Sequence, residues 1–148
     1  MHSSDLKRSI DTSFYALAFP SEEDLIIRSH LLRELNFGEH EGLHYDNLSE
    51  TEKQRFSSPD FQAAGGESWA DVTQRAKTYL TALESGQNHL IFTHGGLMAA
   101  YVNTYFKDEM PEMPPNASLI GMHLKDDGSG EPDSFDFRWD FPYIEEDI

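Results

Sequence analysis

A chain of 148 residues with ordinary apolar and aromatic fractions suits a single domain, residues 1–148, around one hydrophobic core. No apolar run approaches the ~20 residues that a bilayer span needs. The lack of cysteine excludes disulfides, thiolate metal sites and cysteine nucleophiles. A formal charge of −16 argues against nucleic acid and membrane as partners, because both demand a basic surface. The opening Met-His-Ser-Ser-Asp is polar, so no signal peptide is expected and a cytoplasmic location is the expectation. Much of the acidic excess follows Lys125, from Asp126 to Asp147, and reads as a solvated end. In so acidic a chain a phosphorylated anion needs a locally basic site, which makes each clefted Arg or His informative.

In chain order, residues 4–18 are predicted as a helix capped by Ser4, with Leu6, Ile10 and Phe14 on one face. Pro20 to Asp24 reads as a turn, and Leu25-Ile26-Ile27 opens an extended run towards Leu32. Residues 36–66 are irregular, with a helix around 48–56, and Gly65-Gly66 closes them. The clearest helix then starts at Glu67-Ser68 and carries the stripe Trp69, Val72, Ala76, Tyr79, Leu80 and Leu83. His89 to Thr93 is a short apolar strand, and Gly95-Gly96 leads into a helix from about Leu97 to Phe106. Residues 117–124 read as a strand. Asp126 to Gly130 forms a turn, and Ser134 to Phe141 alternates Phe135, Phe137, Trp139 and Phe141 with charged residues, a half-buried antiparallel strand near a sheet edge. Strands alternating with helices define an α/β class.

Several clusters can carry chemistry, each beside a plainer reading. Thr93-His94-Gly95-Gly96 places a His at the end of a buried strand, where α/β sheets bind ligands. The glycines admit close backbone approach, and the next helix presents free N–H groups to an anion. The plainer reading is a His that caps a strand. Arg8, in the first turns of the opening helix, can clamp two phosphate oxygens or lie solvated. Glu34, between the extended run and a glycine-rich turn, can donate a proton to a leaving oxygen or be a surface glutamate. His40-Glu41-Gly42-Leu43-His44 matches the zinc motif H-E-x-x-H, but that motif works on a helix, and Gly38 and Gly42 disfavour one here. Glu67 and Ser68 read as a helix start.

Taken in order, these segments resemble the histidine phosphatase superfamily, also called phosphoglycerate mutase-like. The resemblance rests on Ser3-Ser4-Asp5-Leu6-Lys7-Arg8-Ser9, on Leu32 to Gly42 with Glu34, Phe37-Gly38 and Glu41-Gly42, on Gly66-Glu67-Ser68, and on Thr93-His94-Gly95-Gly96. It implies a three-layer α/β/α fold with a mostly parallel mixed sheet. It also implies phosphate binding by Arg8 and Gly95, a general acid at Glu34, and His94 as the second histidine of the site. A small phosphorylated substrate is implied, with no metal and no other cofactor. His40 stands where the family usually has Trp, which makes the H-E-x-x-H match accidental. The polar residues that mutases place around the acid are replaced by Leu35, Asn36 and Phe37, which favours the phosphatase branch.

One departure concerns the nucleophile. The family opens on a strand ending in Arg-His-Gly, whose His attacks phosphorus, and no Arg-His-Gly occurs in these 148 residues. The domain is therefore expected to lack the N-terminal strand and helix, leaving sheet neighbours unpaired. The activity implied for the parent family is phosphomonoester hydrolysis through a phosphohistidine. This chain then carries the second half of the site and turns over poorly or not at all. The alternatives are a non-catalytic phosphate-binding module (a pseudophosphatase) and a zinc hydrolase at His40 and His44.

Overall fold

The computed structural model describes residues 1–17, 26–56, 58, 60–107 and 114–138. The elements are β1 (His2–Ser4), α1 (Lys7–Leu17), β2 (Ile27–Ser29), α2 (Glu50–Phe56), α3 (Trp69–Thr81), β3 (Ile91–Phe92), α4 (Gly95–Tyr105), β4 (Leu119–Leu124) and β5 (Pro132–Arg138). Short 3-10 turns cover His30–Leu32, Gly38–His40 and Tyr45–Asn47. The turn expected at Pro20 to Asp24, Leu25, and the last residues of the alternating strand, Trp139 and Phe141, lie outside the described residues.

The start of the chain departs from expectation. Residues 2–4 are not a helix entrance but a strand, and it lies in the middle of a parallel sheet of order β2-β1-β3. His2 pairs with Ile27 on one side and Ile91 on the other, and Ser4 pairs with Ser29. All three residues of β1 are buried. Their polar groups are satisfied by other side chains, as burial requires. Ser3 Oγ meets Ser9 Oγ at 3.1 Å, and Ser4 Oγ meets His94 Nε2 at 2.9 Å. At the opposite end, His2 Nε2 lies 3.0 Å from His89 Nδ1, and His89 Nε2 lies 2.8 Å from the Glu84 carbonyl. A carbonyl only accepts, so His89 Nε2 carries hydrogen, and in a neutral ring its Nδ1 then accepts from His2. That leaves His2 Nδ1 to accept from the Tyr79 hydroxyl, at 2.8 Å.

The expected mixed sheet is two sheets among the described residues. β4 and β5 form an antiparallel pair, Leu119 opposite Arg138 through Leu124 opposite Pro132, with an irregularity after His123. β1 is paired on both sides, whereas β3 and β4 each have one partner among the described residues. β3 is also shorter than the apolar run His89 to Thr93 suggests.

Packing centres on α3 and α4. Val72, Ala76 and Leu80 of α3 are buried with Leu97, Ala100 and Tyr101 of α4, and Leu35 and Phe61 fill the end of this core. The α3 stripe thus faces inward as its spacing predicts. A capping box starts the helix: Ser68 Oγ accepts from the Asp71 N–H, and Asp71 accepts from the Ser68 N–H. On the far side of α4, Ala99 and Val102 pack against β4 and β5, with Phe106 and Phe135 ring centres 4.7 Å apart.

Leu35 is 1% exposed, so Leu35→Ala is expected to cost about 2–5 kcal/mol of unfolding free energy, as core truncations do. Tyr15 is 88% exposed, and Tyr15→Ala should stay within about 0.5 kcal/mol. Urea unfolding of the two variants checks the contrast.

Candidate active site

Parallel strands of an α/β sheet deliver their next residues to one edge, where ligands bind. Here β1 delivers Ser4, β3 delivers Thr93 and His94, and the turn after β2 delivers Glu34. Arg8 reaches the same place from the first turn of α1. His94 is the N-cap residue of α4, in extended conformation, so α4 begins two residues before the expected Leu97. Gly95 opens that helix, where N–H groups have no partner within the helix.

The imidazole of His94 is held at both nitrogens. Arg8 Nε donates to Nδ1 at 3.3 Å, and Nε2 lies 2.9 Å from Ser4 Oγ. A guanidinium only donates, so Nδ1 is bare and Nε2 carries the hydrogen to Ser4. His94 is therefore neutral. Burial lowers its pKa to about 4, assisted by the charges of Arg8 and Arg75, with Asp5 acting in the opposite sense. Arg8 is an exposed residue, and its Nη groups carry further N–H donors beyond the one given to His94.

Glu34 sits against the start of α4. One carboxylate oxygen accepts from the Gly96 N–H at 3.2 Å, the other from its neighbour's, Leu35, at 2.9 Å. A carboxylate is favoured at a helix N-terminus by the dipole as well as by the hydrogen bond. Gly96 is required for this approach, because a Cβ there would run into the Glu34 carboxylate. Arg8, Glu34, His94 and Gly95 thus meet at one edge, as their order in the sequence suggests.

The residues that hold this edge together carry weaker signals in the sequence. Ser4, a helix cap by its local pattern, instead anchors His94. Thr93 Oγ1 donates to the Leu32 carbonyl at 2.7 Å, tying the end of β3 to the turn just before Glu34. Arg75 of α3 reaches the carbonyls of Leu31, Arg33 and Glu34 and pairs with Glu67. Ser68 caps α3 as its pattern predicts, while Glu67 stands one residue before the cap and its carboxylate accepts from the Asn36 N–H at 2.9 Å. At the rim, Arg33 and Asp5 form a bidentate pair at 2.6 and 2.7 Å.

The H-E-x-x-H segment is not helical. His40 ends a 3-10 turn, Gly42 follows at φ +78°, and His44 has an 82% exposed side chain beside Asp46. His40 instead faces Glu52 at 3.7 Å. Among the described residues, no group of three His, Asp or Glu side chains gathers in a metal-ligating arrangement.

Fold and site together describe an α/β protein with a guanidinium, a neutral imidazole and a carboxyl converging where a parallel sheet and a helix start meet. Residues 1–130 match the histidine phosphatase superfamily (branch 1), and the chain belongs to that family. Among solved structures it is similar to TTHB049 from Thermus thermophilus, with 30% identity and a TM-score of 0.62, over 80% of this chain and 64% of that one. The chain therefore spans less than two-thirds of TTHB049. Two mycobacterial structures share the fold: glucosyl-3-phosphoglycerate phosphatase Rv2419c (21% identity, TM-score 0.66, 93% of this chain and 74% of that one) and hydrolase 1 (22%, 0.63, 94% and 73%). No curated protein matches the chain. Among the described residues no helix is long and apolar enough to cross a membrane.

The state of His94 leads to a pH prediction. Its folded pKa lies below the ordinary 6.5, so the unfolded chain binds the extra proton more readily. The stability this contributes is complete above pH 6.5 and is lost as pH falls through about 4. The urea midpoint should fall between pH 7 and pH 4 by more in the native chain than in His94→Asn. Arg8→Met should raise the His94 pKa, read from its ring-proton NMR shifts.

Proposed function

We propose that this chain binds the phosphoryl group of a small phosphomonoester at the carboxyl edge of its parallel sheet. In this reading it carries the second half of the site of a phosphohistidine-forming phosphomonoesterase. The observation that carries it is the Arg8–His94 hydrogen bond beside a Glu34 carboxyl seated on the α4 N-terminus. In a chain of charge −16, this is a local cationic site of the kind a phosphate dianion needs.

The roles follow from the chemistry of each group. The Arg8 guanidinium spreads donors over two phosphoryl oxygens, and the first N–H groups of α4, including that of Gly95, add partial positive charge. His94, kept neutral, puts no second full charge beside Arg8, and its Nε2–H can turn to a phosphoryl oxygen only by leaving Ser4 Oγ. A carboxyl next to an arriving dianion takes up a proton more readily, and Glu34 then gives it to the departing alcohol oxygen. In the phosphohistidine route, the phosphorus–oxygen ester bond breaks as a phosphorus–nitrogen bond forms. Water then attacks phosphorus, the P–N bond breaks, and the Glu34 carboxylate accepts the water proton.

That route needs an imidazole with a free nitrogen aimed at phosphorus. His94 has both nitrogens engaged, one holding Arg8 and the other Ser4, so it is not that nucleophile. With no Arg-His-Gly in the sequence, the 148-residue chain by itself binds phosphate and turns over slowly or not at all. The match to the histidine phosphatases supports the phosphoryl chemistry. The mycobacterial phosphatase has been solved as a complex with VO3, at 24% identity over 72% of this chain and a TM-score of 0.59, which recommends vanadate as the probe.

Calorimetric titration with vanadate should give saturable one-to-one binding. Arg8→Met should weaken it by about 10- to 100-fold, the worth of a charged hydrogen-bonding partner. Absence of binding would sink the phosphoryl site itself. Brisk hydrolysis of p-nitrophenyl phosphate, abolished by His94→Ala, would overturn the claim of slow turnover while leaving the site intact.

A further inference from the structure

Glu34 lies in a stretch without regular structure, between the turn ending at Leu32 and the one starting at Gly38. Such a stretch has carbonyls with no ladder to accept from, and its conformation must be set from outside. Arg75, 41 residues away on α3, sets it. Its Nη1 donates to the Leu31 carbonyl at 2.8 Å and the Arg33 carbonyl at 2.7 Å, and its Nη2 donates to the Glu34 carbonyl at 2.9 Å. The other edge of the fork pairs with Glu67, Nε to Oε1 at 2.8 Å and Nη2 to Oε2 at 3.1 Å. Glu67 passes the constraint on, accepting the Asn36 N–H at 2.9 Å, while its own backbone N–H donates to the Asn36 carbonyl at 2.9 Å. Every backbone group that the Arg75 and Glu67 side chains hold lies within three residues of Glu34.

Resting on the phosphatase reading, we infer that Arg75 is a positioning residue for the Glu34 proton donor, acting through the backbone of residues 31–36 with Glu67 as its counter-ion. Three features support the assignment. The Arg75 side chain is 13% exposed, so its charge is committed to these partners rather than to solvent. A planar fork is needed to serve three carbonyls on one side and a carboxylate on the other, and an ammonium has no such fork. Finally, the Glu34 carboxylate keeps its place only if its backbone lets it reach the Gly96 N–H at 3.2 Å, a contact that a small shift of the segment would break.

The test reads the Glu34–Gly96 hydrogen bond directly. In the native chain the Gly96 amide proton shift should move with the titration of Glu34, and Glu34→Gln should abolish that movement. Arg75→Lys keeps the charge but loses the fork, and should reduce the amplitude several-fold, because a hydrogen bond weakens steeply once its geometry is lost. Vanadate affinity, set by Arg8 and His94, should change by less than about twofold in the same variant, as for independent sites. Glu67→Gln, which keeps the shape and a hydrogen-bonding oxygen, should reduce the amplitude less than Arg75→Lys and guards against a lysine variant that fails to fold. A native-like Gly96 response in Arg75→Lys, or in Glu67→Gln when Arg75→Lys is unfolded, overturns the assignment. So does an equal loss of Gly96 response and vanadate binding, which would mark a merely structural residue. If the native chain does not bind vanadate, the phosphatase reading fails, yet the Gly96 response still reports whether Arg75 holds Glu34.

Discussion

Two strands run parallel and side by side, and polar groups at their carboxyl ends meet. Ser4 leaves β1 and His94 leaves β3, and the 2.9 Å contact between them fixes an imidazole that would otherwise swing at a strand terminus. Everything else at this edge is arranged around that fixed ring. Arg8 can donate to Nδ1 only because Ser4 has taken the Nε2 hydrogen. α4 starts at Gly95 because His94 before it is extended, and the Glu34 carboxylate can sit on the helix start because α4 begins there. A charged imidazole would face the Arg8 N–H with an N–H of its own, so neutrality of His94 is a condition of the arrangement as well as its result.

The chain's acidity sharpens this. Most of its charged groups are carboxylates, and the cations around the site divide into two kinds. Arg33 is paired with Asp5 and Arg75 with Glu67, each closely. Lys77 and Lys125 both go to Glu131, far along the chain. Arg8 differs in kind: it donates to a neutral ring rather than to a carboxylate, so its full charge is still expressed at the sheet edge.

Much of this edge was legible in the sequence. A buried apolar strand running into His94-Gly95-Gly96 announces a strand–helix junction, and the α3 stripe announces a helix with one inward face. β1 was not legible. A central strand made of His, Ser and Ser has no apolar signature, and only its neighbours justify it: each polar group finds a side chain brought from elsewhere in the chain. Local pattern favoured the helix that follows, and the sheet pairing on both sides overrode it. Arg75 was hidden for a related reason. On the α3 helix it reads as an ordinary polar position between buried Val72 and Ala76, and nothing near it in sequence hints at three carbonyls some 41 to 44 residues earlier. Gly38 hints faintly at the same contact: its φ of +55° and its packing on Ala64 and Gly66 draw the acid-bearing loop against the start of α3.

Arg75 and Tyr79 stand one turn apart on α3, and they hold different things. Arg75 grips the loop that carries Glu34, at the carboxyl edge of the sheet, whereas the Tyr79 hydroxyl holds His2, at the opposite end of β1. A single helical turn thus spans the length of the central strand and is fastened at both of its ends. The helix works as a splint. Any rotation or slide of α3 would load the His2 contact and the Glu34 loop together, so the far end of the sheet and the proton donor share one mechanical reference.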